Sequence, residues 1–158
     1  MAQDRGDLAT AEQWYRKALE IFEALGNRPS LASSYHQLGM VAQLRGDLAT
    51  AEQWSRKSLE IEEALGNRPG RARSYGQLGL LAEARGDPTA ALDWMVHCVA
   101  LFPEFPHPAT GPGPHHLARL IASLGMPALE ASWQRCTGAT LPAQLCTAIT
   151  EMINQPKA

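Results

Sequence analysis

The chain has 158 residues, of which 45% are hydrophobic and 19% are charged, so it can bury a core and lacks the composition of a disordered protein. Its 14 basic and 16 acidic residues give a formal net charge of −2, which argues against a nucleic-acid-binding surface and a polybasic membrane-binding surface. The longest apolar run, residues 95–102, is too short to cross a bilayer, and the polar, acidic start is unlike a signal peptide. Three cysteines form no disulfide framework, so we expect a cytoplasmic protein.

The first two-thirds of the chain is a repeat with a period of 40 residues. The 25 residues 5–29 recur at 45–69 with only three differences, Tyr15/Ser55, Ala18/Ser58 and Phe22/Glu62, and a third copy begins at Arg85 and then diverges. Such self-similarity indicates an array in which each unit packs on its neighbours. We divide it into a half repeat at 1–29 and two repeats at 30–69 and 70–103.

Each repeat predicts two helices. In the first helix of the second unit, apolar and aromatic residues recur in steps of 4, 3 and 4, which places them on one face: Leu31, Tyr35, Leu38 and Ala42. The second helix has the same spacing at Trp54, Ser58, Ile61 and Leu65. Gly46 can end one helix and Asp47 can cap the next. No strand pattern competes, so the fold class is all-α.

The half repeat has only the end of a first helix before Gly6, so we predict a turn there and a helix over 8–25. One face of that helix would have no partner; its residues are Leu8, Ala11, Tyr15, Ala18 and Phe22. Terminal repeats normally have a polar outer surface. Either the chain continues a longer array or this face forms an interface, and our hypothesis is that it supports a homodimer.

The C-terminal third has a different pattern. Residues 103–114 hold five prolines and two glycines, so 104–114 is predicted to be an extended connector. Helices follow over 115–124, 127–136 and, with Thr140 as N-cap, 141–154. We predict that residues 115–158 form a helical cap that packs Trp133 onto the last repeat.

No motif for catalysis or metal binding is present. The chain has no G-x-S-x-G, phosphate-binding loop or C-x-x-C sequence, and the adjacent pairs His97–Cys98 and His115–His116 would point apart on a helix. We therefore expect no catalytic residues, no metal and no cofactor, and we expect Cys98 to be a buried, inert thiol. A small hydrolase or metalloprotein of unrecognised type is the least favoured alternative.

The repeats resemble the tetratricopeptide repeat (TPR) family. Its pattern of aromatic, Leu-Gly, Ala, Gly-Asp and Ala is filled by Tyr35, Leu38, Gly39, Ala42, Gly46, Asp47 and Ala51, and again 40 residues later. Ser55 and Ser58 depart from the family's aromatic and Ala. The 40-residue period is similar to the kinesin-light-chain type of repeat and to arrays in bacterial multidomain signalling proteins. The resemblance implies a superhelix of about eight helices with a C-terminal helical cap.

The resemblance also implies a concave groove lined by the first helix of each unit. The groove-facing residues would be His36, Gln37, Met40, Gln43, Arg73, Gln77 and Leu80. The Lys and Asn with which chaperone-binding members hold a peptide carboxylate are absent. Gln37 and Gln77 match the Asn ladder of kinesin light chains, Arg73 suits an acidic partner residue, and Met40 and Leu80 form an adaptable apolar floor.

The sequence thus predicts a scaffold that binds an extended peptide or a partner helix in this groove. The alternative function is a self-assembly element or the C-terminal sensor part of a larger bacterial signalling protein.

Overall fold

The computed structural model describes residues 2–155, with side chains from Gly6 onward. This part of the chain contains α-helices, one short 3-10 helix and no strand, which confirms the all-α class. In chain order the helices are α1 (Ala2–Leu25), α2 (Arg28–Leu44), α3 (Leu48–Leu65), α4 (Arg68–Ala84), α5 (Pro88–Val99), the 3-10 helix η1 (Pro108–Thr110), α6 (Gly113–Leu124), α7 (Met126–Thr137) and α8 (Ala143–Asn154).

The helices α2 and α3 form one hairpin, α4 and α5 form the next, and α1 packs on α2. Each hairpin turns at a glycine with positive φ, Gly46 (80°) and Gly86 (82°), a conformation that other residues rarely adopt. The side chain of the following aspartate caps the next helix, as Asp47 does by accepting from the Thr50 N–H. Between units, Asn27 and Asn67 cap α2 and α4 in the same way.

The predicted turn at Gly6 is wrong, because α1 continues through it from Ala2. Gly6 is not among the positive-φ glycines, and its carbonyl accepts a hydrogen bond from the Thr10 hydroxyl at 3.0 Å, as in a helix interior. The helical hydrogen bonds therefore continue across Gly6.

The largest core lies where α6 and α7 pack on α5 and α8 packs on α6. Met95 and Val96 of α5 pack with Leu117 of α6, Trp133 of α7 and Ile149 of α8 in one cluster. This placement of Trp133 puts the C-terminal helices on the end of the repeat array. The helices found here include none with the length and hydropathy needed to span a membrane.

Polar contacts reinforce this end of the array. The Ser132 hydroxyl donates to the Asp93 carboxylate at 2.6 Å, and Arg135 pairs with the same carboxylate. Arg119 of α6 forms a two-pronged ion pair with Glu83 of α4. The C-terminal helices are therefore tied to both helices of the last hairpin.

The C-terminal boundaries correct three sequence predictions. The connector is not simply extended, because η1 folds against α4. The helix α6 begins at Gly113, two residues early, since Pro114 is tolerated in a first helical turn. Thr140 does not cap α8, which begins after Pro142. A proline disfavours helical conformation in the residue before it, which excludes Leu141 from the helix.

Candidate functional site

A cavity of about 450 Å³ lies between the inner faces of α2 and α4 and the connector. Six of the seven predicted groove residues line it: His36, Met40, Gln43, Arg73, Gln77 and Leu80. The opposite wall is the segment from Pro108 to Gly113. The site therefore has two walls, the repeat helices and the connector, and we call it the channel; its volume is within the range of ligand pockets.

Equivalent positions of the two repeats carry different residues at the cavity. His36 of α2 corresponds to Gly76 of α4, and a Cβ placed at Gly76 would meet no atom within 4 Å. The missing side chain leaves space beside the imidazole of His36. Gly76 thus contributes to the site by leaving room.

The connector wall is held in place by α5 and by its own contacts. A Cβ placed at Gly113 would lie 3.0 Å from the Cys98 sulfur, so only glycine allows this close approach. Thr110 is buried, and its hydroxyl donates to the His107 carbonyl at 2.6 Å. The His107 ring stacks on Phe102 with ring centroids 3.9 Å apart. These contacts fix the wall against the repeat array.

The channel contains buried polar groups without partners. Gln77 is 7% exposed, and neither the oxygen nor the nitrogen of its amide has a hydrogen-bond partner within residues 2–155. His36 is also 7% exposed, and its Nδ1 has no partner in the same part of the chain. Leaving a buried polar group unsatisfied costs about 1–3 kcal/mol. A ligand that supplies partners for these atoms would recover that free energy.

The protonation state of His36 follows from its surroundings. Burial lowers its pKa to about 4, and the nearby positive charge of Arg73 contributes in the same direction. The ring is therefore neutral at pH 7 and can offer both a donor and an acceptor. Burial also lowers the pKa of His116, at the connector side of the channel.

Arg73 is half-exposed and forms an ion pair with a buried carboxylate. Its guanidinium lies 3.5 Å from the carboxylate of Glu62, which is 1% exposed and accepts a hydrogen bond from the Ser74 hydroxyl at 2.7 Å. Burial raises the pKa of Glu62, and these partners offset part of the rise. Arg73, which lines the channel, thus pairs with a residue that the half repeat lacks, since Phe22 stands at the equivalent position there.

The seventh predicted groove residue, Gln37, lies elsewhere. It lines a separate crevice of about 370 Å³ between α1 and α2, together with Tyr15 and Phe22. A Cβ on Gly39 would lie 3.3 Å from the Gln77 amide nitrogen, so Gln77 packs against the preceding unit. The glutamines face different inter-unit spaces and do not lie side by side in the channel.

Several lining residues were not among the sequence candidates. The connector wall and His116 belong to the part of the chain predicted as connector and cap, and Pro69 and Ala72 lie at the start of α4. The proline-rich composition marked 104–114 as irregular. No local pattern indicated which surface it would meet.

The predicted self-association residues Leu8, Ala11, Tyr15 and Phe22 are half-buried. The exposed large hydrophobic residues of α1 are Trp14 (65%), Ile21 and Leu25. The Lys17 ammonium lies 5.1 Å from the centroid of the Trp14 ring. The apolar surface of α1 therefore includes Trp14, which the sequence pattern predicted to be a packing residue and not part of the self-association face.

The metal and thiol chemistry of the described residues is limited. Within residues 2–155, no three His, Cys, Asp or Glu residues are grouped so that they could hold a metal ion. Cys98 is fully buried, and burial raises its pKa to about 12. Its thiol is therefore protonated at neutral pH and serves packing.

Comparison with known proteins identifies the repeat. The tetratricopeptide repeat family model matches residues 1–64 and 31–104. No curated protein matches the chain.

Two solved structures share the fold. BtubC (BKLC) from P. vanneervenii has a TM-score of 0.66 and 19% identity, covering 97% of this chain and 62% of BtubC. A candidate kinesin light chain with nearly identical TPR-like repeats, from Podosopora anserina, has a TM-score of 0.61 and 18% identity, covering 96% of this chain and 87% of that one. The chain thus spans less than two-thirds of the length of BtubC.

Proposed function

Since this chain belongs to the tetratricopeptide repeat family, which generally mediates protein–protein interactions, we propose that it is a non-catalytic scaffold that binds an extended segment of a partner protein. The segment lies in the channel between α2, α4 and the connector. The observation that carries the proposal is a cavity of about 450 Å³ lined by two buried side chains, Gln77 and His36, in which the Gln77 amide and the His36 Nδ1 have no partner in residues 2–155.

The channel suits a peptide for three reasons. The Gln77 amide offers a donor and an acceptor, which matches a peptide group of an extended backbone. Met40, Leu80 and the prolines of the connector offer apolar contacts for one or two side chains. The half-exposed guanidinium of Arg73 favours an acidic residue where the segment leaves the channel.

A blocking variant tests the proposal directly. Peptides selected from a random 12-residue display library on the intact chain serve as probes, and their affinity is measured by fluorescence anisotropy. We expect Gly76→Leu to abolish binding, because the new side chain fills the empty space beside His36. The free energy of unfolding of the Gly76→Leu variant should not fall, since leucine is a better helix former than glycine.

A matched pair of glutamines tests the polar contact. We expect Gln77→Leu to weaken peptide binding about tenfold. This factor corresponds to the loss of one hydrogen bond that contributes about 1.4 kcal/mol. Gln37→Leu changes the equivalent residue outside the channel and should leave binding unchanged. Selected peptides that bind wild type, Gly76→Leu and Gln77→Leu with equal affinity would refute the proposal.

A further inference from the structure

A second pocket, which we call the C-terminal pocket, lies between the last repeat and the C-terminal helices. Its volume is about 420 Å³, and it shares no lining residue with the channel. Its walls include Arg68 of α4, Phe102 and Phe105 after α5, Trp133 of α7 and Leu145 of α8. Pockets of this size between helices are common sites for small ligands.

The residues that line the C-terminal pocket are mainly apolar or aromatic. The rings of Phe102, Phe105 and Trp133 surround it together with the side chain of Leu145. The His107 ring stacks on Phe102 with centroids 3.9 Å apart, which fixes one of these rings. Trp133 is 7% exposed and belongs to the largest core, which fixes another. The aromatic walls are therefore formed before a ligand arrives.

The charge of the C-terminal pocket is positive. No Asp or Glu is among the described residues that line it, and its one formally charged side chain is Arg68. Arg68 is exposed and forms no ion pair within residues 2–155. In the same range, Trp133 takes part in side-chain hydrogen bonds only through its backbone carbonyl, which accepts from the Thr137 hydroxyl at 2.7 Å. Its indole N–H is thus available as a donor.

The start of α8 adds to this positive character. The helix begins after Pro142 without a side-chain cap, and Gln144 in its first turn lines the pocket. Backbone N–H groups in a first helical turn lack helical acceptors and favour a nearby anion. Together with Arg68 and the Trp133 indole, they offer donors beside an apolar surface.

We propose that the C-terminal pocket binds a small arylalkanoate, that is, a carboxylate joined by a short chain to an aromatic ring. The carboxylate pairs with Arg68, because a guanidinium binds such a group through two parallel hydrogen bonds. The aromatic ring of the ligand lies against Phe102, Phe105 and Trp133, since aromatic rings pack favourably on one another. This site is separate from the channel and does not depend on peptide binding there.

The test compares three ligands of similar shape: 4-phenylbutyrate, the neutral 4-phenylbutanamide and the cationic 4-phenylbutylamine. Binding to the intact protein is followed by proton–nitrogen correlation spectra, which report the indole N–H groups of the four tryptophans. Phenylalanine variants of Trp14, Trp54 and Trp94 assign three signals, and the fourth belongs to Trp133. We expect 4-phenylbutyrate to shift the Trp133 signal saturably, and the amide to bind at least tenfold more weakly.

The repeat supplies a matched control for Arg68. Arg28 stands at the equivalent position of α2, in the same Asn-Arg-Pro sequence, and does not line the C-terminal pocket. We expect Arg68→Gln to weaken the binding of 4-phenylbutyrate at least tenfold, because the carboxylate loses its counter-charge. Arg28→Gln should leave the affinity unchanged.

Four results would overturn the proposal. One is the absence of a saturable shift of the Trp133 signal at millimolar 4-phenylbutyrate. Another is equal affinity for the acid and the amide, which would mean that the pocket does not select a carboxylate. Tighter binding of the amine would mean that the carbonyl groups at the end of α5 dominate the pocket. Loss of binding in Arg73→Gln but not in Arg68→Gln would place the acid in the channel.

Discussion

The helices α1 and α3 carry nearly the same sequence, because residues 5–29 and 45–69 differ at three positions. Both are long helices, and Leu19 and Leu59 are buried at matching positions. They differ in what packs on the face opposite Leu19 and Leu59. The helix α2 covers this face of α3, whereas the structure describes no helix in the equivalent place on α1. Local sequence therefore determines the helix, and its neighbours determine which residues are buried.

The three differences all fall on the face that only α3 has covered. On this face, burial does not follow hydrophobicity. The polar residues Ser55, Ser58 and Glu62 are buried, whereas the apolar or aromatic residues Tyr15 and Phe22 are only half-buried. The buried polar groups are mostly satisfied: the Ser58 hydroxyl lies 2.9 Å from the Ala32 carbonyl oxygen, and Glu62 accepts from Ser74. Small or hydrogen-bonded residues fit where two backbones come close.

The largest contrast should come from the equivalent tryptophans. We expect Trp54→Ala to lower the free energy of unfolding by about 2–3 kcal/mol, because the half-buried ring loses its stacking on Tyr35 and its packing against α2. Trp14→Ala should change it by less than about 0.5 kcal/mol, since that ring is mostly exposed. Urea unfolding followed by circular dichroism measures both; equal losses would contradict the comparison.

Exchanging the residues at the next position tests the close approach of α2 and α3. Ser55→Tyr introduces the residue of the first copy where a Cβ on Gly39 would be only 3.1 Å from the Ser55 oxygen. We expect a loss of about 1–3 kcal/mol from overpacking. The reverse change, Tyr15→Ser, should cost less than about 1 kcal/mol. The same unfolding series measures both variants, and a neutral Ser55→Tyr would show that the pair can separate freely.

Glu62→Phe gives α3 the residue that the first copy has at Phe22. Removing one partner of a buried, hydrogen-bonded group is destabilising, and we expect Glu62→Phe to lower the free energy of unfolding by about 3 kcal/mol at pH 7, because the buried Ser74 hydroxyl loses its acceptor. Burial raises the pKa of Glu62, so the folded state binds more protons than the unfolded state and the wild type loses stability as the pH rises above the unfolded value of about 4.5.

The Glu62→Phe variant should lack the loss of stability that the buried carboxylate causes as the pH rises. Chemical unfolding between pH 4 and 8 would measure this difference. Glu60→Gln, an exposed neighbour, is the control and should leave the profile unchanged. A Glu62→Phe profile identical to that of the wild type would mean that the buried carboxylate contributes nothing to it.

The repeat explains why so much of the fold was predictable. Glycine turns and Asp caps are local signals, so the hairpins around Gly46 and Gly86 followed from short segments. The family pattern also brought six channel residues together on α2 and α4. The continuation of α1 through Gly6 and the contact of η1 with α4 were not predictable, because each depends on which surface lies nearby and not on the residues themselves.

The smallest contrast concerns the lysines beside the tryptophans. Lys57 lies over two rings, Tyr35 and Trp54, whereas Lys17 lies over Trp14 alone. We expect Lys57→Met, which keeps an apolar stem of similar length, to cost about 0.5–1 kcal/mol, and Lys17→Met to cost less. Lys57→Arg should restore most of the loss, because a guanidinium also binds aromatic faces. Thermal unfolding at matched salt would measure the three variants. Equal costs for Lys57→Met and Lys17→Met would contradict the comparison, because they would mean that the second ring, Tyr35, adds nothing to the stabilisation by Lys57.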